Sequence, residues 1–191
     1  MRIISGKYKS KRITAPGNLP VRPTTDFAKE ALFNVLNNLY YLDEISVTDL
    51  FAGTGNISYE IASRGSRDIT AVDAHSGCVR FISKTATELD MPIKAIKSDV
   101  FKYLERTLKK TDLIFADPPY DMPAEDMLKI ANLVFDRELL LEGGTLVIEH
   151  SKHTDLSDHP YFSQSRRYGG SVFSFYEIPE EEDSEEETEE A

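Results

Sequence analysis

A chain of 191 residues, 40% of them apolar, can bury one sizeable core with room for little more than a small appendage. Its single cysteine, Cys78, excludes a disulfide framework or a cysteine metal cluster within the chain and fits a reducing, cytoplasmic setting. The formal charge of −11 is uneven: Glu180–Ala191 carries nine acidic residues and no basic one, and the remainder balances at 22 basic against 24 acidic.

The opening "MRIISGKYKSKR" lacks the apolar centre of a secretory signal, and no apolar run approaches the roughly 20 residues of a membrane-spanning helix. Residues 1–25 hold Arg2, Lys7, Lys9, Lys11, Arg12 and Arg22 and no acid. "RIISGKYKSKRITAP" reads as two short strands around a Gly-Lys-Tyr-Lys-Ser turn, a basic hairpin or arm. Cations around Tyr8 would clamp a nucleic-acid backbone beside one stacking ring, with Lys7, Lys9, Lys11 and Arg12 on the phosphates. In "RPTTD", Thr24 or Thr25 can cap a helix and Asp26 suits its first turn. Ala28, Ala31, Leu32, Val35, Leu36 and Leu39 then recur at helical spacing.

From Ile45 the pattern alternates between strands and helices. "ISVTDLF", "DITAVD", "IKAIKSD", "DLIFAD" and "TLVIEH" read as strands, the first four each followed by a helix. That order implies a parallel sheet covered on both faces. "YFSQSRRYGGSVFSFYEI" reads as a closing hairpin that turns at Gly169-Gly170, an antiparallel edge. The acidic residues 180–191 read as a solvated, disordered tail, because like charges repel and nothing apolar offsets the cost of ordering. The expected organisation is thus a basic arm (1–25), an α/β domain (26–179) and the tail.

"DLFAGTGN" places Gly53 and Gly55 between a strand and a helix, where glycine lets the backbone turn tightly and approach a ligand. Asp73 closes the next strand, 20 residues after Gly53, where a carboxylate can accept from both hydroxyls of an adenosine ribose. A nicotinamide dinucleotide loop would carry a third glycine where Ser58 stands. Asp49, ahead of the glycines, would repel a pyrophosphate but suits the cationic end of S-adenosylmethionine. Asp99 can accept from an adenine amine, with Val100 or Phe101 over the ring; it equally suits the N-cap of the next helix.

"DPPY" (residues 117–120) ends the fourth strand, and two prolines cannot continue a ladder. An aromatic amine is a weak nucleophile because its lone pair is conjugated into the ring. The Asp117 carboxylate and the Pro118 carbonyl, fixed in advance, can accept from its two N–H groups and favour a pyramidal nitrogen. Tyr120 can stack on an extruded base, with Pro119 beside it. No metal is required.

These motifs together resemble the RsmD-type family of small-subunit ribosomal RNA guanine-N2 methyltransferases. The resemblance rests on "RIISGKYKSKRI", "RPTTDFAKEALFNVL", "DLFAGTGNISYEIASRG", "IFADPPY", "LLLEGGTLVIEH" and "RRYGGSVFSFYE", and spans nearly all of residues 2–177. It implies a class I S-adenosylmethionine-dependent methyltransferase. The fold would be Rossmann-like, with seven mostly parallel strands, one of them antiparallel, plus a small N-terminal β-hairpin extension. By resemblance Phe51, Ala52, Gly53, Thr54, Gly55, Asp73 and Asp99 hold the cofactor, beside the Asp49 argued above from its charge. Asp117, Pro118, Pro119 and Tyr120 hold the target base, and Arg22, Thr24, Thr25 and Asp26 border the pocket. The implied partner is 16S ribosomal RNA or the assembling small subunit, with the protein a monomer. Ser58 and the acidic tail depart from the family pattern.

Other readings stay open at this stage: a DNA or protein-glutamine N-methyltransferase, a non-catalytic RNA-binding assembly factor, and a nicotinamide-dependent oxidoreductase. His75, His150, His153 and His159 show no metal spacing. Glu149-His150 at a strand end could line the pocket but reads more simply as a solvated sheet edge, Glu60–Arg64 reads as a surface pair and Cys78 as packing, and Arg166 and Arg167 suit RNA contact and the guarding of an edge strand equally well.

Overall fold

The computed structural model describes residues 1–21 and 24–179. Arg22 and the acidic segment 180–191 therefore lie outside the described residues. The elements run α1 (Asp26–Leu39), β1 (Ser46–Leu50), α2 (Asn56–Ser63), β2 (Asp68–Asp73), α3 (Ser76–Glu88), β3 (Ile93–Lys97), α4 (Val100–Arg106), β4 (Thr111–Ala116), α5 (Ala124–Asp136), β5 (Leu140–Ser151), β6 (Phe162–Tyr168) and β7 (Ser171–Glu177).

The strands form one seven-stranded sheet in the order β3-β2-β1-β4-β5-β7-β6. The first five in this order pair in parallel; β7 runs antiparallel to both β5 and β6. The closing hairpin turns at Gly169, where φ is 64°, as the sequence led one to expect. The strand order reverses between β1 and β4. In open α/β sheets ligands bind beyond the carboxyl ends of the strands at such a switch.

Side-chain alternation assigns the two faces. Val47, Leu113, Phe115, Val147, Phe173 and Phe175 meet α1 and α2 on one face. Leu50, Val72, Ile114, Leu146 and Ile148 meet α4 and α5 on the other. Helix α3 lies on the α1–α2 side, where Ile82 packs on Ala71 and Ala52. Thr25 caps α1 by accepting from Ala28 N at 3.2 Å. The buried stripe of α1 includes Lys29 and Phe33, whereas Leu39 at its end is exposed.

The N-terminal segment differs from the expected pair of strands. It closes through one antiparallel bridge, Arg2 with Arg12. The amides that would build a longer ladder are spent on α2 instead. Ile4 N and Ser5 N donate to the Glu60 carboxylate at 2.8 and 3.0 Å, and Lys7 N donates to Ser63 O at 2.7 Å. Tyr8 N donates to Ser63 Oγ at 2.9 Å. Ile3 and Ile13 are buried against Tyr59, Ala86 and Met91.

Glu60 is consequently no surface residue: its exposure is 0%. Besides the two amides it accepts from Arg64 Nε at 2.8 Å and lies 3.5 Å from Lys29 Nζ. Lys29 in turn donates to Arg2 O at 2.6 Å and to Asn56 Oδ1 at 2.9 Å. Removing one member of a buried pair leaves an uncompensated charge, which typically costs about 3–5 kcal/mol. Glu60→Ala should lower stability by that amount in urea unfolding. Lys110→Ala, which breaks the exposed Lys110–Glu138 pair, should cost less than about 1 kcal/mol.

Candidate active site

The loop after β1 is built for close approach. Phe51, Gly53 and Gly55 all have positive φ, at 57°, 55° and 87°. Phe51 is not a glycine, so its left-handed backbone is strained, a feature that clusters at ligand sites. A Cβ on Gly55 would sit 2.8 Å from Tyr59 Cζ, so the position excludes any side chain on steric grounds too. Ala52 N donates to Val72 O at 3.0 Å and ties the loop to β2; Ala52 and Thr54 are both buried. Asp73, at the end of β2, accepts from Gly53 N and from His75 N, each at 2.8 Å. The carboxylate thereby fixes the glycine loop and the entry to α3 together.

Asp49 is buried and its Oδ2 accepts from Ser58 N at 3.2 Å and Ser58 Oγ at 2.6 Å. Ser58 thus has a role that a glycine could not perform. Burial pushes the Asp49 carboxyl up to about 7; the Ser58 hydrogen bonds oppose the shift and the Asp73 charge adds to it. Asp99 caps α4, accepting from Lys102 N at 3.0 Å. Val100 is buried in the core beneath, and Phe101 is half-buried with Lys129 Nζ 5.2 Å from its ring centre.

Asp117 follows the last residue of β4. Its N–H points to Leu50 O at 3.4 Å, so it borders the β1 end. The register Ala116↔Ile148 sets Asp117 and Glu149 side by side, just past the final β4–β5 pair. Asp117 is half-buried and Pro118 buried, whereas Pro119 and Tyr120 are exposed, Tyr120 by 82%. Burial, then the Glu149 and Asp49 charges, hold the Asp117 carboxyl well above the usual carboxylate range.

Glu149 is the residue whose burial sequence reasoning missed. It is buried, not solvated, and accepts from Thr24 Oγ1 at 2.9 Å. Burial raises its carboxyl, against hydrogen bonds from Ser171 and Thr24. His150 is also buried, with ring nitrogens 2.8 Å from Ser174 Oγ and 2.9 Å from Ser151 O, and burial lowers its pKa. Thr24 O accepts from Asn56 Nδ2 at 3.0 Å, so Thr24 is locked between the glycine-loop helix and the β5 end. Thr25 serves as the helix cap, and Asp26 is half-buried and paired with Arg2 at 3.3 Å.

Tyr8 does not present a free stacking ring. Its hydroxyl donates to Leu89 O, its ring packs with the cluster around Ile3 and Ile13, and Lys7 Nζ lies 5.0 Å from the ring centre. Lys7, Lys9, Lys11 and Arg12 are exposed around it. Among the described residues there is no cluster of metal-ligating side chains, and no helix is long and apolar enough to cross a membrane.

Glycines at the switch point, an acid at the end of β2 and an acid–Pro–Pro–aromatic at the end of β4 define a class I S-adenosylmethionine-dependent methyltransferase. Comparison with known proteins bears this out. The model of the family described as "Conserved hypothetical protein 95" matches residues 1–177, and the chain belongs to that family, the RsmD family. A putative rRNA methyltransferase of Bacillus subtilis, YlbH, is 32% identical over 164 residues, 83% of this chain and 86% of its own. Ribosomal RNA small subunit methyltransferase D of Escherichia coli is 24% identical, over 84% of this chain and 79% of its own. The fold matches that of the Thermus thermophilus 16S rRNA N2 G1207 methyltransferase solved with AdoMet and guanosine. There the TM-score is 0.68, at 20% identity over 84% of this chain and 45% of that one.

The raised acids give a signed pH dependence. Folded Asp49 keeps a proton that the unfolded chain, with a pKa of 3.8, has already released. Its contribution is therefore complete below that value and is lost as the pH rises toward about 7. Between about pH 5 and about pH 8 the urea midpoint of the wild type should fall more than that of Asp49→Asn, which removes one titrating proton.

Proposed function

We propose that this protein methylates the exocyclic N2 amine of a guanine in 16S ribosomal RNA, on the RNA itself or on the assembling small subunit. The observation that carries the reading is the placement of Asp117. Its carboxylate is half-buried, follows directly on β4 and borders the glycine loop at the sheet's switch point.

The residues present fit S-adenosylmethionine. Gly53 and Gly55 hold the left-handed turns of the loop, with the space beside Gly55 taken by Tyr59, Asp73 retains acceptor capacity toward ribose hydroxyls, and Asp49 offers negative charge to a cation. Asp99, Val100 and Phe101 would border the adenine. When bound, that cofactor supplies an electrophilic methyl on a positively charged sulfur.

The chain's own residues do the rest. Asp117 and the Pro118 carbonyl accept from the two N–H groups of the base and draw the nitrogen out of conjugation. The nitrogen lone pair forms the new bond to the methyl carbon while the carbon–sulfur bond breaks, its electron pair leaving with sulfur. The surplus proton on nitrogen passes to the Asp117 carboxylate, whose raised proton affinity suits an acceptor. Pro118 fixes its own φ, so this carbonyl needs no reorganisation at the transition state. Tyr120, 82% exposed, is available to stack on the extruded base.

Thr24 completes the wall through Glu149. Lys7, Lys9, Lys11 and Arg12 would hold phosphates, with Arg22 of the same segment a further candidate. Residues 1–25 thus act as an RNA-binding arm on a 26–179 catalytic domain, in the cytoplasm, with the protein a monomer.

The test uses labelled S-adenosylmethionine and unmodified small-subunit particles, followed by mass spectrometry of the nucleosides. N2-methylguanosine is the expected product; a methylated adenine, cytosine or protein amide would replace this reading. Asp117→Ala should abolish transfer while S-adenosylhomocysteine affinity stays within a few-fold by calorimetry. Asp73→Ala should weaken that affinity first.

A further inference from the structure

One groove on the described surface lies away from the catalytic edge. It has a volume of about 690 Å³ and runs between the N-terminal segment and α3. Lys11 and Arg12 stand on one wall, Arg80 and Lys84 on the other, and Glu88 is the one acid among the lining residues. All four cations are exposed. Lys84 has only a surface partner, Glu88 at 3.7 Å, and among the described residues Lys11, Arg12 and Arg80 join no ion pair. Such an exposed pair is worth little and is easily exchanged.

The groove has a direction. Leu19 and Gly77 lie at one end and Leu89 at the other, so it follows α3 for about 18 Å at 1.5 Å per residue. Helix α3 begins just after Asp73, at the carboxyl edge of the sheet that also carries Asp117. The groove therefore descends the flank of the molecule from the edge where the base is held. Arg80 and Lys84 are four apart on one helix face, an arrangement that destabilises a helix unless an anion lies over it. The charges are spread along two walls and do not converge on a point. A lone phosphate would use convergent donors; a chain of phosphates uses spaced ones.

We propose that this groove is the track for the ribose-phosphate backbone that flanks the target nucleotide, with Arg80 and Lys84 of α3 as phosphate contacts opposite Lys11 and Arg12. The proposal rests on the RNA methyltransferase reading above and adds to it a second wall and a path. The apolar floor, where Phe81 and Ile13 lie, admits the ribose and lets the strand bind without sequence readout.

The experiment is fluorescence anisotropy of a labelled small-subunit rRNA fragment, titrated with wild type and with Arg80→Ala/Lys84→Ala across a potassium chloride series. Two lost phosphate contacts should weaken binding on the order of tenfold at low salt and reduce the log–log salt slope by about 1.4. S-adenosylhomocysteine affinity should not change. Wild-type affinity and slope in the double variant would overturn the track. Unchanged binding of the fragment with lost binding of intact particles would also overturn it, because the groove would then meet a ribosomal protein. If wild type itself bound no rRNA fragment or particle, the RNA reading would fail, and the groove proposal with it.

Discussion

Glu60 holds the molecule's most demanding contact. A carboxylate with no exposure is tolerable only if its oxygens are filled with donors. Here they come from three separate pieces of chain: the amides of Ile4 and Ser5, the Lys29 ammonium of α1, and the Arg64 guanidinium at the end of α2. None of these can withdraw without leaving charge or amide unpaired in the interior. The same ammonium continues to Asn56, and Asn56 to the Thr24 carbonyl. A chain of short polar contacts therefore runs from the N-terminal segment, through the helix that follows the glycine loop, to the wall of the active site. The position of Thr24 against Glu149 is inherited from a charge pair buried elsewhere.

The active site is the converse case, a set of acids that the free protein leaves short of donors. Asp49, Asp117 and Glu149 sit on the face of the sheet that otherwise presents Phe115, Val147 and Phe173 to α1 and α2. Hydrogen bonds from Ser58 and Thr24 offset only part of their burial cost, so their carboxyls stay raised. A cation brought to this edge supplies what the protein withholds and allows the carboxylates to ionise. On the proposed function, cofactor binding and the readiness of Asp117 to accept are one electrostatic event. The arrangement costs stability in the free protein, the usual exchange at a preorganised site.

Much of this was legible in the sequence, for identifiable reasons. The strand–helix alternation, the glycines, Asp73 at its fixed distance and the prolines after β4 each carry a local geometric demand, and the sheet followed. The hairpin at Gly169-Gly170 was equally plain. What escaped were residues whose environment is set by distant chain. Glu60 and Arg64 at i,i+4 look like a surface pair until the N-terminal segment covers them. Every residue of α2 from Asn56 to Ile61 is buried, so no helical period marks Glu60 as inward. Lys29 did carry a signal: it shares a stripe with Leu32, Phe33 and Leu36. Glu149 shares the inward face of Val147 two residues before the end of β5, but an acid near a strand end reads as solvated until Thr24 reaches it from across the fold. The amides assigned to a basic hairpin, and the ring of Tyr8, went to α2 and α3 for the same reason. A short strand pair in isolation is marginal, and a helix flank with open acceptors outcompetes it.

The two charge patterns of the molecule complement each other. On the proposed function, a strand of RNA approaching the carboxyl edge would meet acids at the pocket itself and cations along the flank. Phosphates would be repelled from the first and drawn to the second, while the acids would accept from an uncharged base edge with two N–H donors. Selection of a base over its own backbone then needs no separate gate. On the proposed function it follows from placing acceptors beside the nucleophilic nitrogen and a row of cations along the phosphate path. A near-neutral body with this internal separation can bind a polyanion locally, whatever net charge the whole chain carries.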